Sequence, residues 1–388
     1  MIDTVCLLIP KDKMIMLDPS EQGVPNWNLH SSTDYYKKFV KNPTKKHLDS
    51  GLYFPRLTGY KRKSFGQDTN VKIEFSVPKL LYLNNLDELE DKDFSQVIDV
   101  LQARLKDLGV VVTQRVLQNA PVSSVHFSKN ILLQDGYTAS HLISEMNKVN
   151  LRKYFDFAKT RFINDGQSLY AHTTSHQLVI YDKVADLAKD KKRAIDKEPT
   201  SYQRTLFSKL KRENELQEII RFEIRINHKH KLNSLLESLG YEKDPVFSQV
   251  FSTEMSKKVV NDYWQKIIKD RSTGLFSVSV SIKDVLRILF LADRELKPKQ
   301  AIYLLGLFLL AKDGEGMRQL RTIVSKRSHD RTWYRIARSM KQAGDLITKN
   351  NLRDWVAQID NQLENYKPYK IEKSCPLSQN CNVKQCKV

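Results

Sequence analysis

The sequence has little cysteine, glycine and proline, and it has no long hydrophobic run. It contains 4 Cys, 13 Gly and 12 Pro among 388 residues, which excludes a dense disulfide framework and a low-complexity chain. The longest uncharged apolar run, 301–311, is too short to cross a bilayer, so it predicts a buried helix and no membrane partner. No secretory signal opens the chain, because Asp3 precedes an apolar run of strand length. We therefore expect a cytoplasmic protein.

Acidic residues are in the minority. The chain has 45 Asp and Glu against 64 Lys and Arg, a formal net charge of +19. Such a surplus favours a polyanionic partner, most simply nucleic acid, with a membrane surface as the lesser alternative. A hydrophobic content of 40% is typical of a globular protein.

Alternating apolar and polar residues predict several strands in the first half of the chain. Along 71–77, Val71, Ile73 and Phe75 face one side while Lys72 and Glu74 face the other. The same alternation predicts further strands, and helical periodicity predicts helices at 93–108 and 139–149. The further strands cover 122–133, 176–183 and 219–226.

Two of these strands begin similar stretches of sequence. The segment from Glu74 to Asn84 can be laid on the segment from Glu223 to Asn233, and in both a leucine-rich helical sequence follows the strand. This predicts an α+β fold for residues 1–243: a central, mostly antiparallel sheet with helices on one face, built from two similar β-α halves.

Beyond residue 243 the pattern becomes helical. Residues 281–292 and 298–311 predict apolar helices, and a short segment at 276–280 predicts a small strand or wing. The pair 317–324 and 331–343 resembles a helix-turn-helix. Its second helix carries three arginines at helical spacing, a pattern that fits a DNA-facing helix or an ordinary amphipathic one; they are Arg331, Arg335 and Arg338.

The domain prediction is therefore an N-terminal domain at 1–243, a helical, winged-helix-like domain at 244–370 and a tail at 371–388. Three cysteines in the tail can bind zinc, but their spacing matches no common structural zinc site, and a flexible tail with reduced thiols is the alternative; they are Cys375, Cys381 and Cys386.

Five residues on the polar strand faces carry the predicted chemistry: Glu74, His126, Tyr181, Lys183 and Glu223. Two carboxylates and an imidazole suit Mg²⁺ or Mn²⁺. A tyrosine needs a neighbouring cation or base to attack a phosphodiester at neutral pH, because its usual pKa is about 10. If the strands are neighbours, this set predicts phosphodiester cleavage through a phosphotyrosyl intermediate.

The order of four short motifs resembles the nicking, replication-initiation proteins of filamentous phages, which are related to rolling-circle initiators of other small phages and plasmids. The motifs are KIEFSVPK at 72–79, VHF at 125–127, VIYDK at 179–183 and IRFEIRI at 220–226. The likeness extends into the C-terminal helices around Trp264 and Trp333.

This resemblance implies a metal-dependent, site-specific single-strand DNA endonuclease and strand transferase that initiates rolling-circle replication. By motif position, Tyr181 is the nucleophile, Lys183 its helper and Glu223 the acidic residue, while His126 stands where the family has an acidic residue. The implied partners are single-stranded or supercoiled origin DNA and the helicase and polymerase of a bacterial host cell.

Other assignments stay open from the sequence. Basic residues on the polar strand faces are assigned to DNA binding, namely Lys72, Arg221 and Arg225. Tyr170 and Tyr202 are alternative nucleophiles, and the alternative histidine ligands are His172, His176, His228 and His230. A non-catalytic origin-binding protein or repressor is the main competing function, and an RNA-binding protein is a weaker one because no aromatic stacking motif is evident.

Overall fold

The computed structural model describes most of the chain, with gaps. The described residues are 1–17, 28–33, 36–41, 43, 50–62, 68–151, 155, 161–163, 167–187, 201–212, 217–271, 276, 281–314, 316–348 and 353–371. Residues 277–280 of the predicted wing and the three tail cysteines lie outside this part of the chain.

Strands dominate the first 226 residues. They are β1 (Ile2–Ile9), β2 (Ile15–Met16), β3 (Asn28–Thr33), β4 (Tyr36–Lys41), β5 (Arg56–Arg62), β6 (Asp68–Ser76), β7 (Val110–Val111), β8 (Val122–Leu132), β9 (Arg161–Ile163), β10 (Ser168–His172), β11 (His176–Asp182) and β12 (Ile219–Ile226). The predicted strands at 71–77, 122–133, 176–183 and 219–226 are confirmed as β6, β8, β11 and β12.

Helices connect the strands and form most of the chain after residue 226. They are α1 (Val77–Tyr82), α2 (Phe94–Asp107), α3 (Gln114–Gln118), α4 (Ala139–Asn147), α5 (Lys183–Leu187), α6 (Ser201–Arg212), α7 (Lys229–Ser238), α8 (Phe247–Val250), α9 (Thr253–Tyr263), α10 (Ile282–Ala292), α11 (Pro298–Lys312), α12 (Met317–Ser325), α13 (Asp330–Thr348) and α14 (Asp354–Asn365). The helical periodicity predicted at 93–108 and 139–149 is confirmed in α2 and α4.

All the strands except β2 and β7 form one antiparallel sheet, in the order β3-β4-β5-β6-β1-β8-β12-β11-β10-β9. From the central pair β1 and β8, the order runs outward in the same way on both sides. The first strand of a half lies at the centre, its last strand lies next, and the remaining strands follow in reverse chain order. β6 and β12 therefore occupy equivalent places, as do β5 and β11.

The apolar face of the sheet is buried under helices. Phe127 and Phe222 on the strands belong to one hydrophobic cluster that includes Leu101 of α2, Leu236 of α7 and Val260 of α9. Each fully buried side chain of this size contributes about 2–3 kcal/mol through removal of apolar area from water. Helices therefore cover the apolar face of the sheet, and at one end of the polar face Leu132 and Ile219 pack against Leu206 of α6.

This core extends across the predicted boundary at residue 243. The ring of Trp264, just after α9, packs edge-on against Phe222 of β12 with ring centres 5.6 Å apart, and Trp355 of α14 belongs to the same cluster. A second, smaller cluster joins α10, α11 and α13 through residues such as Leu289, Leu304 and Ile347. The boundary itself stays a prediction.

The architecture is mixed α+β, with an antiparallel sheet in the N-terminal half followed by a mainly helical C-terminal region. In the part of the chain that the structure describes, none of the helices has the length and apolar character needed to cross a membrane.

Candidate functional site

The polar side chains come together on the polar face of β8, β12 and β11, which are neighbours in the sheet. The register places Arg225 of β12 opposite His126 of β8, and Tyr181 of β11 opposite Arg221 of β12. Since every second residue of a strand shares a face, Glu223 lies between these pairs on the same side. The predicted convergence of His126, Tyr181 and Glu223 is thus present.

Glu223 is the centre of the cluster. Its side chain is 4% exposed. The carboxylate accepts a hydrogen bond of 2.8 Å from Arg225 Nε and one of 3.3 Å from the Tyr181 hydroxyl, and His126 Nδ1 lies 3.5 Å away. Burial alone would raise the pKa of this carboxyl, but Arg225 and His126 outweigh burial and hold the pKa well below its usual range. Glu223 is therefore a carboxylate near neutral pH.

Tyr181 is only 8% exposed, and its hydroxyl donates to Glu223 Oε2. Burial, and then the charge of Glu223, raise the pKa of the phenol well above its usual 10. The resting tyrosine is therefore a neutral phenol whose proton already points at a carboxylate.

Lys183 lies beside Tyr181, as predicted, but on a helix and not on the strand. The sequence places it on the strand, whereas β11 ends at Asp182 and Lys183 begins α5. Its side chain is fully buried, with Nζ 5.5 Å from the centre of the Tyr181 ring and 4.0 Å from Asp186. Among the described residues, Nζ has no hydrogen-bond partner. Burial, and then the charge of Arg221, lower the pKa of this amine to about 7.

Asp3 joins the cluster, and the sequence analysis missed it. The pairing of β1 with β8 is irregular between Ile2 and Thr4. In a regular strand Asp3 would share the apolar face with Val5, but an extra residue at a bulge can turn its side chain toward the other face. Asp3, His126 and Glu223 can each present one ligand atom so that all three atoms lie within 4.8 Å of one another. An acidic residue near the start of a mostly apolar strand is the sequence signal for this role.

Glu74 lies elsewhere on the same polar face. The register places Glu74 opposite Cys6 of β1, whereas His126 lies opposite Thr4 of that strand. The carboxylate pairs with Lys72 at 3.4 Å, and both side chains are about a third exposed. Glu74 is not a member of the group formed by Asp3, His126 and Glu223, so its role as a metal ligand stays a prediction.

The two arginines predicted to bind DNA have different surroundings. Arg221 is 1% exposed; its Nη1 donates to the backbone carbonyl of Asn85 at 3.0 Å and lies 3.4 Å from Asp3 Oδ1. Arg225 is partly exposed, holds Glu223 and lies over the ring of Tyr170 at 5.9 Å. Burial leaves Arg221 little surface for direct DNA contact, and its contacts suit the positioning of Asp3 instead.

The predicted helix pair in the C-terminal region is confirmed as α12 and α13. On α13, Trp333 and Met340 are buried. The three arginines occupy its exposed side; they are Arg331, Arg335 and Arg338. This arrangement agrees with an amphipathic helix and leaves three cations available to a polyanion.

The alternative residues fall in several places. Tyr170 and His172 lie on β10, two strands from Glu223. His176 is 8% exposed, its ring packs against Phe155, and burial lowers its pKa to about 4. The remaining alternatives lie outside the cluster: Tyr202 on α6 belongs to a separate hydrophobic cluster, and His228 and His230 are exposed near the start of α7.

Comparisons with models of protein families, with characterised proteins and with solved structures gave no match for this chain. The geometry of the cluster and the charge of the chain are therefore the basis of the functional proposal.

Proposed function

We propose that this chain is a rolling-circle replication initiator that nicks one DNA strand at an origin and becomes covalently attached to its 5′ end. The observation that carries the proposal is the hydrogen bond from the Tyr181 hydroxyl to Glu223, next to His126 and Asp3. A phenol paired with a carboxylate, beside a possible cation site, is a set of groups that supports phosphodiester transesterification.

In the proposed step, the Tyr181 oxygen attacks the phosphorus of the scissile phosphodiester. The phenol becomes acidic as this bond forms, and its proton then leaves by way of Glu223, the acceptor of its hydrogen bond. A bond forms between the tyrosine oxygen and phosphorus, and the bond from phosphorus to the 3′ oxygen breaks. That oxygen takes a proton from water, which gives a free 3′-hydroxyl and a 5′-phosphotyrosyl ester.

The donor set near Glu223 fits Mg²⁺ or Mn²⁺. Asp3 and Glu223 offer carboxylate oxygens and His126 offers an imidazole nitrogen, donor types that such ions accept. Asp3 Oδ1 is a buried acceptor without a hydrogen-bond partner among the described residues. A bound divalent ion would supply positive charge to the phosphate oxygens. Arg221 orients Asp3, and Arg225 holds Glu223 in place.

The path for DNA lies on the partly exposed portion of the polar sheet face. His126 and Arg225 are 22% and 27% exposed there, and Lys72 and Glu74 extend the same face toward β6. A single strand on this face would meet cations before it meets Tyr181. The exposed arginines of α13 would add contacts to duplex phosphates. A host helicase and polymerase are the expected partners after nicking.

The test uses single-stranded DNA from the intergenic region next to the coding sequence, with Mg²⁺ or Mn²⁺ and then with chelator. We expect a protein–DNA adduct that survives denaturant, requires the metal and maps to Tyr181 by mass spectrometry. An adduct on another tyrosine would retain the reaction and discard this nucleophile. A chain that binds duplex origin DNA but forms no adduct would contradict the enzyme.

A non-catalytic origin-binding protein is the second candidate, and the burial of Tyr181 is the observation that favours it. A phenol that is 8% exposed and bonded to a buried carboxylate also suits a purely structural role. The exposed arginines of α13 serve both functions. The two candidates differ in the adduct: DNA binding with a steep salt dependence is expected of each, but only the enzyme forms a covalent product.

A further inference from the structure

The helical C-terminal region exposes an unusual amount of apolar surface. Among the described residues, nine of the eleven exposed large hydrophobic side chains lie between Ile282 and Tyr334. Four of them belong to α11, whose other side fills the buried clusters through Ala301, Leu304 and Phe308. A helix that is apolar all around is normally covered on every side. The exposed outer side of α11 therefore has the character of an interaction surface.

The exposed residues of α11 form one continuous stripe centred on Gly306. At 100° per residue, the side chains of Ile302, Tyr303, Leu309 and Leu310 all lie within about 60° of the direction of Gly306. They are 63%, 49%, 38% and 54% exposed, respectively. A Cβ placed on Gly306 would meet no described atom within 4 Å. The centre of the stripe is thus open and flat, so another backbone can approach it closely.

The charges at the two ends of the stripe make it complementary to itself. Lys299 lies seven residues before Gly306 and Asp313 seven residues after it, and both are exposed. In an antiparallel pair related by a two-fold axis at Gly306, Lys299 of one copy faces Asp313 of the other, twice over. Ile302 and Tyr303 of one copy then face Leu309 and Leu310 of the other.

We propose that two copies of this chain pair through an antiparallel, two-fold contact between their α11 helices, centred on Gly306. A contact of this kind is isologous: the same patch serves on both copies. The stripe spans only about three turns of helix, so the interface belongs to the small size class and the dimer dissociates at micromolar concentrations. This inference does not depend on the nicking activity.

The test is sedimentation velocity of the full chain without DNA, over a range of micromolar concentrations. We expect a reversible monomer–dimer equilibrium. Leu310→Lys should weaken the dimer at least about tenfold, because each copy would bury an unpaired ammonium. Gln300→Lys adds the same charge on α11 about 120° away from Gly306 and should leave the equilibrium unchanged.

A charge-swap cycle tests the register. Lys299→Asp alone and Asp313→Lys alone should each weaken the dimer, since like charges then face each other, and the double variant should restore it. A wild-type chain that stays monomeric, or a dimer that Leu310→Lys and both single swaps leave intact, would overturn the proposal. A monomer that instead binds phosphatidylcholine–phosphatidylglycerol vesicles through Leu310 would overturn it in favour of a lipid surface.

Discussion

The sheet has two halves, one on each side of the central pair β1 and β8. The halves use the same strand order but carry different chemistry. Glu223 on β12 and Glu74 on β6 occupy equivalent strands beside the central pair. Glu223 is buried and contacts Arg225, Tyr181 and His126, whereas the side chain of Glu74 is 35% exposed and pairs with Lys72. The difference teaches that the place of a carboxylate in the sheet does not decide its chemistry; the neighbouring strands do.

The neighbouring strands show how the difference arises. Tyr181 of β11 lies opposite Arg221 of β12, and the equivalent position of β5, opposite Lys72 of β6, holds Thr58. A threonine hydroxyl can donate a hydrogen bond, but it is far less acidic than a phenol. The β8–β12–β11 side therefore has a candidate nucleophile, and the β1–β6–β5 side lacks an equivalent one at this position.

The largest expected effect separates Tyr181 from Thr58. Tyr181→Phe removes the attacking oxygen, so adduct formation should fall by at least about a thousandfold. Thr58→Ala changes the equivalent position on the other side and should leave the rate within about twofold. Denaturing gels of the labelled protein–DNA adduct measure both variants. Equal losses in the two variants would remove the distinction between the two sides.

The next effect concerns Lys183 and the dependence of stability on pH. Its folded-state pKa of about 7 lies below the ordinary 10.5, so between these pH values the unfolded chain binds one more proton. The free energy of unfolding should therefore rise by up to about 4 kcal/mol from pH 7 to pH 10, and this gain is lost as the pH falls again. Lys183→Met should flatten this rise and stabilise the chain near pH 7.

The control for this experiment is Lys72→Met, which removes a partly exposed lysine from the same face in the other half of the sheet. It retains Lys183, so it should keep the pH dependence of the wild type. Urea titrations at several pH values give both free energies of unfolding. A Lys183→Met chain with the wild-type pH dependence would show that this amine does not titrate near neutrality.

Local sequence patterns predicted the elements well. Alternation located β6 and β12, because each strand has one buried and one polar face, and helical periodicity located α2 and α13. The convergence of Tyr181, His126 and Glu223 followed from parity once their strands were neighbours. Lys183 was placed on the wrong element because its helix begins directly at the end of β11.

Long-range geometry was not accessible from the sequence. The order in which strands pair is set by the whole fold, so Glu74 could not be told from Glu223 by its own residues. Asp3 depends on an irregular pairing between β1 and β8, and a bulge of this kind has no distinctive residue pattern. The omission of Asp3 and the inclusion of Glu74 therefore have the same cause: both depend on how distant strands pair.

A smaller effect compares the two carboxylates directly. Glu223→Gln leaves the partly exposed Arg225 without its buried anionic partner and should lower the free energy of unfolding by about 2–3 kcal/mol. Glu74→Gln breaks a partly exposed ion pair and should cost less than about 1 kcal/mol. The folded-state pKa of Glu223 lies below the ordinary 4.5, so its contribution is present above that pH and is lost as pH falls further. In urea titrations, the gap in free energy of unfolding between Glu223→Gln and the wild type should be smaller at pH 3 than at pH 7. Equal losses for Glu223→Gln and Glu74→Gln at pH 7 would contradict the comparison.

The smallest effect separates the two possible ligand sets for a metal. If Asp3, His126 and Glu223 hold Mn²⁺, the ion at about ten times its Kd should stabilise the folded chain by about 1.4 kcal/mol. Asp3→Asn and His126→Ala should each remove this gain, because two donors rarely retain the ion, while Glu74→Gln should keep it. Thermal unfolding with and without Mn²⁺ measures all three. A gain that Glu74→Gln removes and Asp3→Asn keeps would place the ion toward β6, and the cluster around Tyr181 would then lose its cation.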